Sequence, residues 1–197
     1  MGQSLQTAGI FLVQTLFDLY ILIVMLRFLF QVVRADFYNP ISQFIVKATN
    51  PIIAPLRRLI PSIGGLDIAT LALALVIKMI EVYLILLIAG FGLQNIVSVL
   101  LWSLTGLLSL ILNIYLFAIF ISVILSWIAP QTYNPAVLLI HQLIEPLMAP
   151  IRERLPAMSG IDLSPLVALL ILKLVDILII GQLAQLVGVP QGLFLLL

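Results

Sequence analysis

Two stretches of this chain share one unusual pattern, and that pattern decides the fold. Residues 39–67 read NPISQFIVKATNPIIAPLRRLIPSIGGLD, and residues 134–162 read NPAVLLIHQLIEPLMAPIRERLPAMSGID. The two stretches align without gaps at a shift of 95 residues. Random apolar sequence would not bring scarce proline, arginine and aspartate residues into register. We therefore infer that the chain contains an internal duplication.

Long apolar segments flank both stretches. A bilayer core is about 30 Å thick, so a spanning helix needs about 20 mostly apolar residues. Four segments meet that requirement, at about 9–33, 67–91, 97–127 and 163–187. The third contains Gly106, where a break is conceivable, but two spans and a turn need about 40 residues. We therefore expect one long helix there.

These segments predict an all-α membrane protein with four transmembrane helices in two helix–loop–helix repeats. The first repeat covers residues 1–92 with its loop at 34–66, and the second covers 93–197 with its loop at 128–162. Each repeat crosses the membrane twice, so the two copies run parallel and are related by an axis along the membrane normal.

The composition excludes several classes of protein. Hydrophobic residues make up 63% of the chain and charged residues only 9%, with a net charge of +1. An ordinary soluble domain has about 25% charged residues, so soluble, disordered and basic nucleic-acid-binding proteins are all excluded. The chain has no cysteine and one histidine, so we expect no metal site. No nucleophile–base pair or phosphate-binding glycine loop is present, so we expect no enzyme, no cofactor and no small-molecule substrate.

The basic residues predict the orientation in the membrane. Lysine and arginine are concentrated in the two loops and are absent from the termini and from the link at 92–96. The positive-inside rule then places both loops in the cytoplasm, or the equivalent compartment, and both termini on the outer face of the membrane. The first apolar segment lacks a basic n-region and a cleavage pattern, so we expect it to be retained.

Each loop begins with Asn-Pro. Asn39 and Asn134 are suited to cap a helix whose first residue is proline. Residues 40–48 have an apolar and a polar face, as expected of a helix lying at the membrane interface. Further prolines disfavour a continuous helix beyond that point. We therefore predict an interfacial or shallow re-entrant hairpin there, broken at Pro51, Pro55 and Pro61.

Each loop also carries an arginine ten residues before an aspartate. Arg57 precedes Asp67, Arg152 precedes Asp162, and each aspartate lies where it can cap the next spanning helix. One hypothesis is that the arginines form a docking surface for a partner protein or for lipid headgroups. The alternative is that each arginine pairs with its own aspartate and anchors the loop. The loop signature comprises Asn39, Pro40, Pro51, Pro55, Arg57, Arg58 and Asp67, with Asn134, Pro135, Pro146, Pro150, Arg152, Arg154 and Asp162.

Six charges lie inside the apolar segments. A charge at the bilayer centre costs at least about 2.5–3.5 kcal/mol on insertion scales. Three of the six are positive and three negative, which suggests internal pairing: Asp18, Arg27, Lys78, Glu81, Lys173 and Asp176. Lys78 and Glu81, and likewise Lys173 and Asp176, could line an ion or proton path between the repeats. The alternative is that they hold helices together or form an assembly interface. The absence of a helix-breaking residue at mid-membrane favours this alternative.

The doubled pattern resembles a known family. Asn-Pro, then Pro-x-x-x-Pro-[Leu/Ile]-Arg, then Gly-[Leu/Ile]-Asp, present twice between apolar helices, resembles the YggT family of small bacterial membrane proteins. The first copy is similar to the proteobacterial branch, which is related to plastid and cyanobacterial YlmG-type proteins. The resemblance implies links to osmotic stress and ion homeostasis in bacteria, and to assembly of a cytochrome complex in plastids. It implies no catalytic residues.

We therefore expect a non-enzymatic integral inner-membrane protein that scaffolds or assists the assembly of membrane complexes. The alternative is a small ion transporter or channel subunit acting in osmotic balance. Its expected partners are the lipid bilayer and either another membrane protein or a second copy of itself.

Overall fold

Four helices in the described part of the chain are long and apolar enough to cross a membrane. The computed structural model describes residues 2–128, 134–155 and 162–190. The four helical spans are Gln3–Val32, Ile68–Ile88, Ile96–Trp127 and Ser164–Leu186. The predicted all-α architecture with four transmembrane helices in two repeats is confirmed.

The helices follow the same order in both repeats: a span, an amphipathic helix and a second span. In the first repeat, these are α1 (Gly2–Val32), α2 (Pro40–Leu59) and α3 (Ile68–Ile88). In the second repeat, they are α4 (Ile96–Ile128), α5 (Pro135–Arg154) and a composite fourth span. That span consists of α6 (Ser164–Val175), a π-helical turn (Asp176–Ile180) and α7 (Gly181–Leu186).

The third span is one continuous helix, as predicted. Gly106 lies buried within α4, which has 33 residues. At 1.5 Å per residue, such a helix is about 50 Å long and exceeds the hydrocarbon core. It must therefore tilt or extend beyond that core.

The predicted proline-broken hairpin is wrong. α2 continues to Leu59 with Pro51 and Pro55 inside it, and α5 continues to Arg154 in the same way. Both prolines of α2 are exposed, so the hydrogen bonds they remove are lost on its outer side. Tertiary packing of the opposite face outweighs that loss; the buried residues there are Ser42, Ile45, Thr49 and Ile53. Residues 129–133 and 156–161 of the second loop lie outside the described residues.

The fourth span is interrupted where we expected a regular helix. The Gly181 N–H donates to the Asp176 carbonyl, five residues back, and this bond defines the π-turn. A π-turn inserts one extra residue into a helix, and such turns often occur at functional positions. This one begins at a charged residue in the middle of the span.

The two repeats pack together through α3, α4 and the starts of the amphipathic helices. α1 packs along α3, α3 contacts α4, and α4 contacts both α5 and α6. On the loop side, Asn39 Nδ2 donates to the Pro135 carbonyl at 2.8 Å. At the opposite end, the Trp102 indole N–H donates to the Val187 carbonyl at 2.9 Å. The first of these bonds joins the two repeats, and the second links the start and the end of the second repeat.

Candidate functional site

The first repeat contains a charge cluster between two spans, in which the lysine and one of the two acids are buried. Lys78 Nζ lies 3.1 Å from Asp18 Oδ1 on α1 and 3.1 Å from Glu81 Oε2 on its own helix. The Glu81 side chain is completely buried, and that of Lys78 is 5% exposed. The cluster therefore joins α1 to α3 through one ammonium group and two carboxylates.

The corresponding pair in the second repeat lies on the outer surface. Lys173 Nζ bonds Asp176 Oδ2 at 2.7 Å, and the Lys173 side chain is 61% exposed. Asn113 replaces Asp18 in the alignment, and its amide instead donates to Ser109 at 3.5 Å. α4 therefore offers this pair no carboxylate. Within the described ranges, no ion pair joins the two charge sets.

Arg27 is the remaining charge of the six, and its hydrogen-bond partners are neutral. The residue is 4% exposed. It donates to Thr49 Oγ1 at 2.7 Å, and to Asn50 Oδ1 and the Val46 carbonyl at 3.4 Å each. In the part of the chain described, no carboxylate lies within ion-pair distance of it. The expected pairing of each charge with an opposite one therefore does not hold for Arg27.

The arginine of the first loop pairs with its own aspartate. Arg57 donates from Nε and Nη2 to Asp67 Oδ2 at 3.1 and 2.5 Å. Asp67 is also the N-cap of α3 and accepts hydrogen bonds from the Thr70 N–H and hydroxyl. Burial alone would raise the pKa of Asp67, but hydrogen bonds from Arg57 and Thr70 outweigh it and lower the pKa below its ordinary value.

The arginine of the second loop pairs with two carboxylates on the surface. Arg152 donates to Glu145 at 3.2 Å and to Asp162 at 3.4 Å, and all three side chains are about half exposed. Asp162 lies one residue before the N-cap and accepts from the Ser164 N–H at 2.9 Å. The bonds from Ser164 and Arg152 lower the pKa of Asp162, against a smaller effect of burial.

The other signature residues shape the amphipathic helices. Asn39 and Asn134 cap α2 and α5, each accepting the N–H two residues on at 2.9 Å. Arg58 and Arg154 lie exposed in the last turns of those helices. The prolines at the first helical positions are Pro40 and Pro135, and those inside are Pro51, Pro55, Pro146 and Pro150.

Sequence reasoning missed the contact between Arg27 and Thr49. A signal for it was present, because the residues that align with Arg27, Thr49 and Asn50 in the second repeat are Ser122, Ile144 and Glu145. The arginine and its hydroxyl partner are both absent there. Residues that disappear together from one copy of a duplication point to a shared contact in the other.

Comparison with known proteins shows relatives over nearly the whole chain. An uncharacterised Pseudomonas aeruginosa protein is 52% identical over 195 residues, covering 98% of this chain and 99% of its own. A Vibrio alginolyticus protein from the proC 3′ region is 47% identical, covering 85% of this chain and 91% of its own. The YggT protein of Escherichia coli is 38% identical, covering 84% of this chain and 86% of its own. No solved structure matches the chain.

The family comparison independently recovers the duplication. The CCB3/YggT family model matches the chain twice, at residues 6–88 and 101–183. Each match contains most or all of two spans and the amphipathic helix between them. With two matches of this family and close relatives along its length, the chain belongs to the CCB3/YggT family of membrane proteins.

Proposed function

We propose that this protein is a non-enzymatic membrane scaffold that holds a transmembrane helix of another membrane protein against its fourth span. The Lys173–Asp176 pair on the outer face of that span is the observation that supports the proposal. Lys173 is the tenth residue of a 23-residue span, so the pair lies near its middle.

An exposed ion pair at that depth is costly in lipid. Each charge at the bilayer centre costs about 2.5–3.5 kcal/mol on insertion scales. In the first repeat, Lys78 and Glu81 are buried between α1 and α3, and only Asp18 is partly exposed, at 39%. In the second repeat, the lysine itself remains 61% exposed. A partner helix with a polar side chain at mid-depth would remove the pair from lipid. Such interhelical polar contacts are an established means of helix association in membranes.

The π-turn supports the same surface. It begins at Asp176 and ends at the buried residue Ile180. The extra residue leaves Ile177, Leu178 and Ile179 all more than half exposed, so three consecutive side chains present a broad apolar surface beside the ion pair. A surface with a polar pair bordered by apolar residues is the kind of surface that a partner helix would cover.

Purification of a partner tests the proposal. The tagged protein would be extracted in mild detergent, and the double variant Lys173→Leu with Asp176→Leu compared with the natural chain. We expect a stoichiometric membrane protein to be lost from the variant while the variant itself stays folded. Val76→Ala is a matched control, because Val76 is 53% exposed on α3 at similar depth. A pure homo-oligomer, or a partner retained by the double variant, would contradict the proposal.

We also propose that both charged loops face the cytoplasm. The basic residues of the loops support this orientation through the positive-inside rule. Because the chain has no cysteine, single cysteines at exposed Gln43 and His141 can be tested for labelling by an impermeant reagent. Labelling of either cysteine in intact cells would show that the loops face outward, which is the opposite orientation.

The alternative function is ion or proton transport in osmotic balance, and the buried Asp18–Lys78–Glu81 cluster supports it. A path between the repeats would need this cluster and the Lys173–Asp176 pair together, yet they are joined by no ion pair in the described ranges. Flux through reconstituted vesicles that falls in Glu81→Gln and Asp176→Asn would favour transport. Unchanged flux in both variants would reject it.

A further inference from the structure

A cavity with charged groups in a largely apolar lining lies on the loop side of the first repeat. It has a volume of about 720 Å³ and lies between the end of α1, α2 and the link to α3. Its lining comprises two arginines, an aspartate and five uncharged residues. Neither the membrane charge cluster nor the surface proposed above for the partner helix contributes to it.

Arg27 brings a buried positive charge into this cavity. Its partners Thr49, Asn50 and Val46 offer only neutral oxygens, and the residue is 4% exposed. A buried cation without an anion is unfavourable, because neutral hydrogen bonds do not replace the Coulomb attraction of a counter-charge. An anion in the cavity would supply the counter-charge that these hydrogen bonds lack.

Arg57 adds a second guanidinium group to the same cavity. Its Nε and Nη2 both bind Asp67 Oδ2, and the side chain remains 44% exposed. Asp67 is committed to this pair and to its cap contacts with Thr70. The lining thus carries two guanidinium groups and one carboxylate, an excess of one positive charge.

The second repeat does not have the same arrangement. Ser122 replaces Arg27, and Ile144 replaces Thr49. Glu145, in place of Asn50, bonds Arg152 at 3.2 Å, and Asp162 bonds it at 3.4 Å. The remaining arginine is therefore neutralised by two acids. Among the described residues of the second loop, the aligned site therefore has no surplus positive charge.

The cavity lies near the loop-side end of α1, the end at which a spanning helix meets lipid headgroups. Arg27 lies five residues before Val32, the end of α1, which at 1.5 Å per residue is about 7.5 Å along the helix. Headgroup regions extend the bilayer from about 30 Å to about 40–45 Å. Phe37 and Val46 give the cavity an apolar wall beside its charges.

We propose that this cavity binds a phosphate group, held between the guanidinium groups of Arg27 and Arg57. Arginine matches phosphate because its planar fork donates parallel, charge-assisted hydrogen bonds. The phosphate belongs either to an anionic phospholipid headgroup at the interface or to soluble phosphate.

Binding to the purified full-length protein tests the proposal and separates the two sources. One arm uses nanodiscs of phosphatidylcholine with and without phosphatidylglycerol, followed by native mass spectrometry of retained lipid. The other arm titrates inorganic phosphate in a non-ionic detergent. Retention of phosphatidylglycerol with no phosphate binding identifies a lipid headgroup, and phosphate binding identifies a soluble ligand.

The variants tie binding to the cavity. We expect Arg27→Gln and Arg57→Gln each to weaken binding about tenfold or more, the loss typical of a charge-assisted hydrogen bond. Arg152→Gln is the matched control and should change affinity less than about twofold, because its charge is already neutralised by two acids. If Arg27→Gln fails to fold, the half-exposed Arg57→Gln decides. The proposal is overturned by absence of binding in both arms, or by equal losses in the Arg57→Gln and Arg152→Gln variants.

Discussion

The two repeats of this protein have the same helices but use their charges in opposite ways. The first repeat buries its lysine between two spans and leaves surplus positive charge in its loop cavity. The second presents its lysine on the outer surface and neutralises its loop arginine with two acids. The two copies thus share one backbone plan. They differ at aligned positions, such as Asp18 and Asn113, that set the surroundings of their charges.

The largest expected difference between the repeats concerns their membrane lysines. Lys78→Leu leaves Asp18 and the buried Glu81 without a cation, and breaking a buried ion pair costs about 3–5 kcal/mol. Lys173→Leu removes the partner of Asp176 from the outer face of its span, so it leaves no unpaired charge sealed between packed helices, and we expect the smaller loss. Denaturant unfolding of the purified variants in detergent measures both. Equal losses of unfolding free energy would show that the two pairs have equivalent surroundings in solution.

The loop aspartates should differ in the same direction by a smaller amount. Asp67→Ala removes a helix cap and the buried partner of Arg57, an expected loss of about 2–4 kcal/mol in the free energy of unfolding. Asp162→Ala removes contacts that are about half exposed, and should cost about 1 kcal/mol. The same unfolding assay measures both losses. A larger loss of unfolding free energy for Asp162→Ala would contradict our conclusion that the first loop holds the more buried aspartate.

Acid should weaken the Arg57–Asp67 pair of the first loop. The pKa of Asp67 is lowered from its ordinary value of 3.8, so the unfolded chain binds a proton there more readily than the folded chain. Its stabilising contribution is therefore fully present above the unfolded pKa and is lost as the pH falls through the folded pKa.

We expect the unfolding temperature in non-ionic detergent to decrease as the pH falls from about 6 to about 3, the range in which carboxylates titrate. The decrease should be smaller in Asp67→Asn, which has no carboxylate to protonate at that position. Asp162→Asn is the comparison, because the pKa of Asp162 is also lowered but its side chain is 47% exposed. An unchanged decrease in Asp67→Asn would show that other groups cause the acid sensitivity.

Much of the architecture was predictable because its signals are strong and local. Span length, apolar composition and the 95-residue repeat fixed four helices in two copies. The continuous α2 was not predictable, because Pro51 and Pro55 disfavour a helix locally while the packing that outweighs them is tertiary. The π-turn at Asp176 likewise has no sequence signature of its own.

The candidate sites were predictable as residues but not as contacts. Lys78 and Lys173 each have an acidic residue three positions on, so the same role is expected of both from sequence. Their different exposure depends on which side chain α1 or α4 offers at that depth, Asp18 or Asn113. The Arg27 cavity depends on contacts across about twenty to forty residues of sequence, which helical periodicity does not reveal.

The smallest expected difference concerns the two capping asparagines. Asn39 is 4% exposed, and besides capping α2 it donates to the Pro135 carbonyl at 2.8 Å. Asn134 is exposed and caps α5 through the Ala136 N–H at 2.9 Å. We therefore expect Asn39→Ala to lower the free energy of unfolding by about 1.5–2 kcal/mol and Asn134→Ala by about 0.5–1 kcal/mol.

A serine at position 39 separates the two contributions of Asn39. Its hydroxyl can still accept the Ile41 N–H as a cap, but it lacks the amide that reaches the second repeat. Asn39→Ser should therefore fall between the natural chain and Asn39→Ala in unfolding free energy, whereas Asn134→Ser should match its natural chain within a few tenths of a kcal/mol. If Asn39→Ser is as stable as the natural chain, the bond to Pro135 contributes nothing to holding the two repeats together, and their junction depends on α3 and α4 instead.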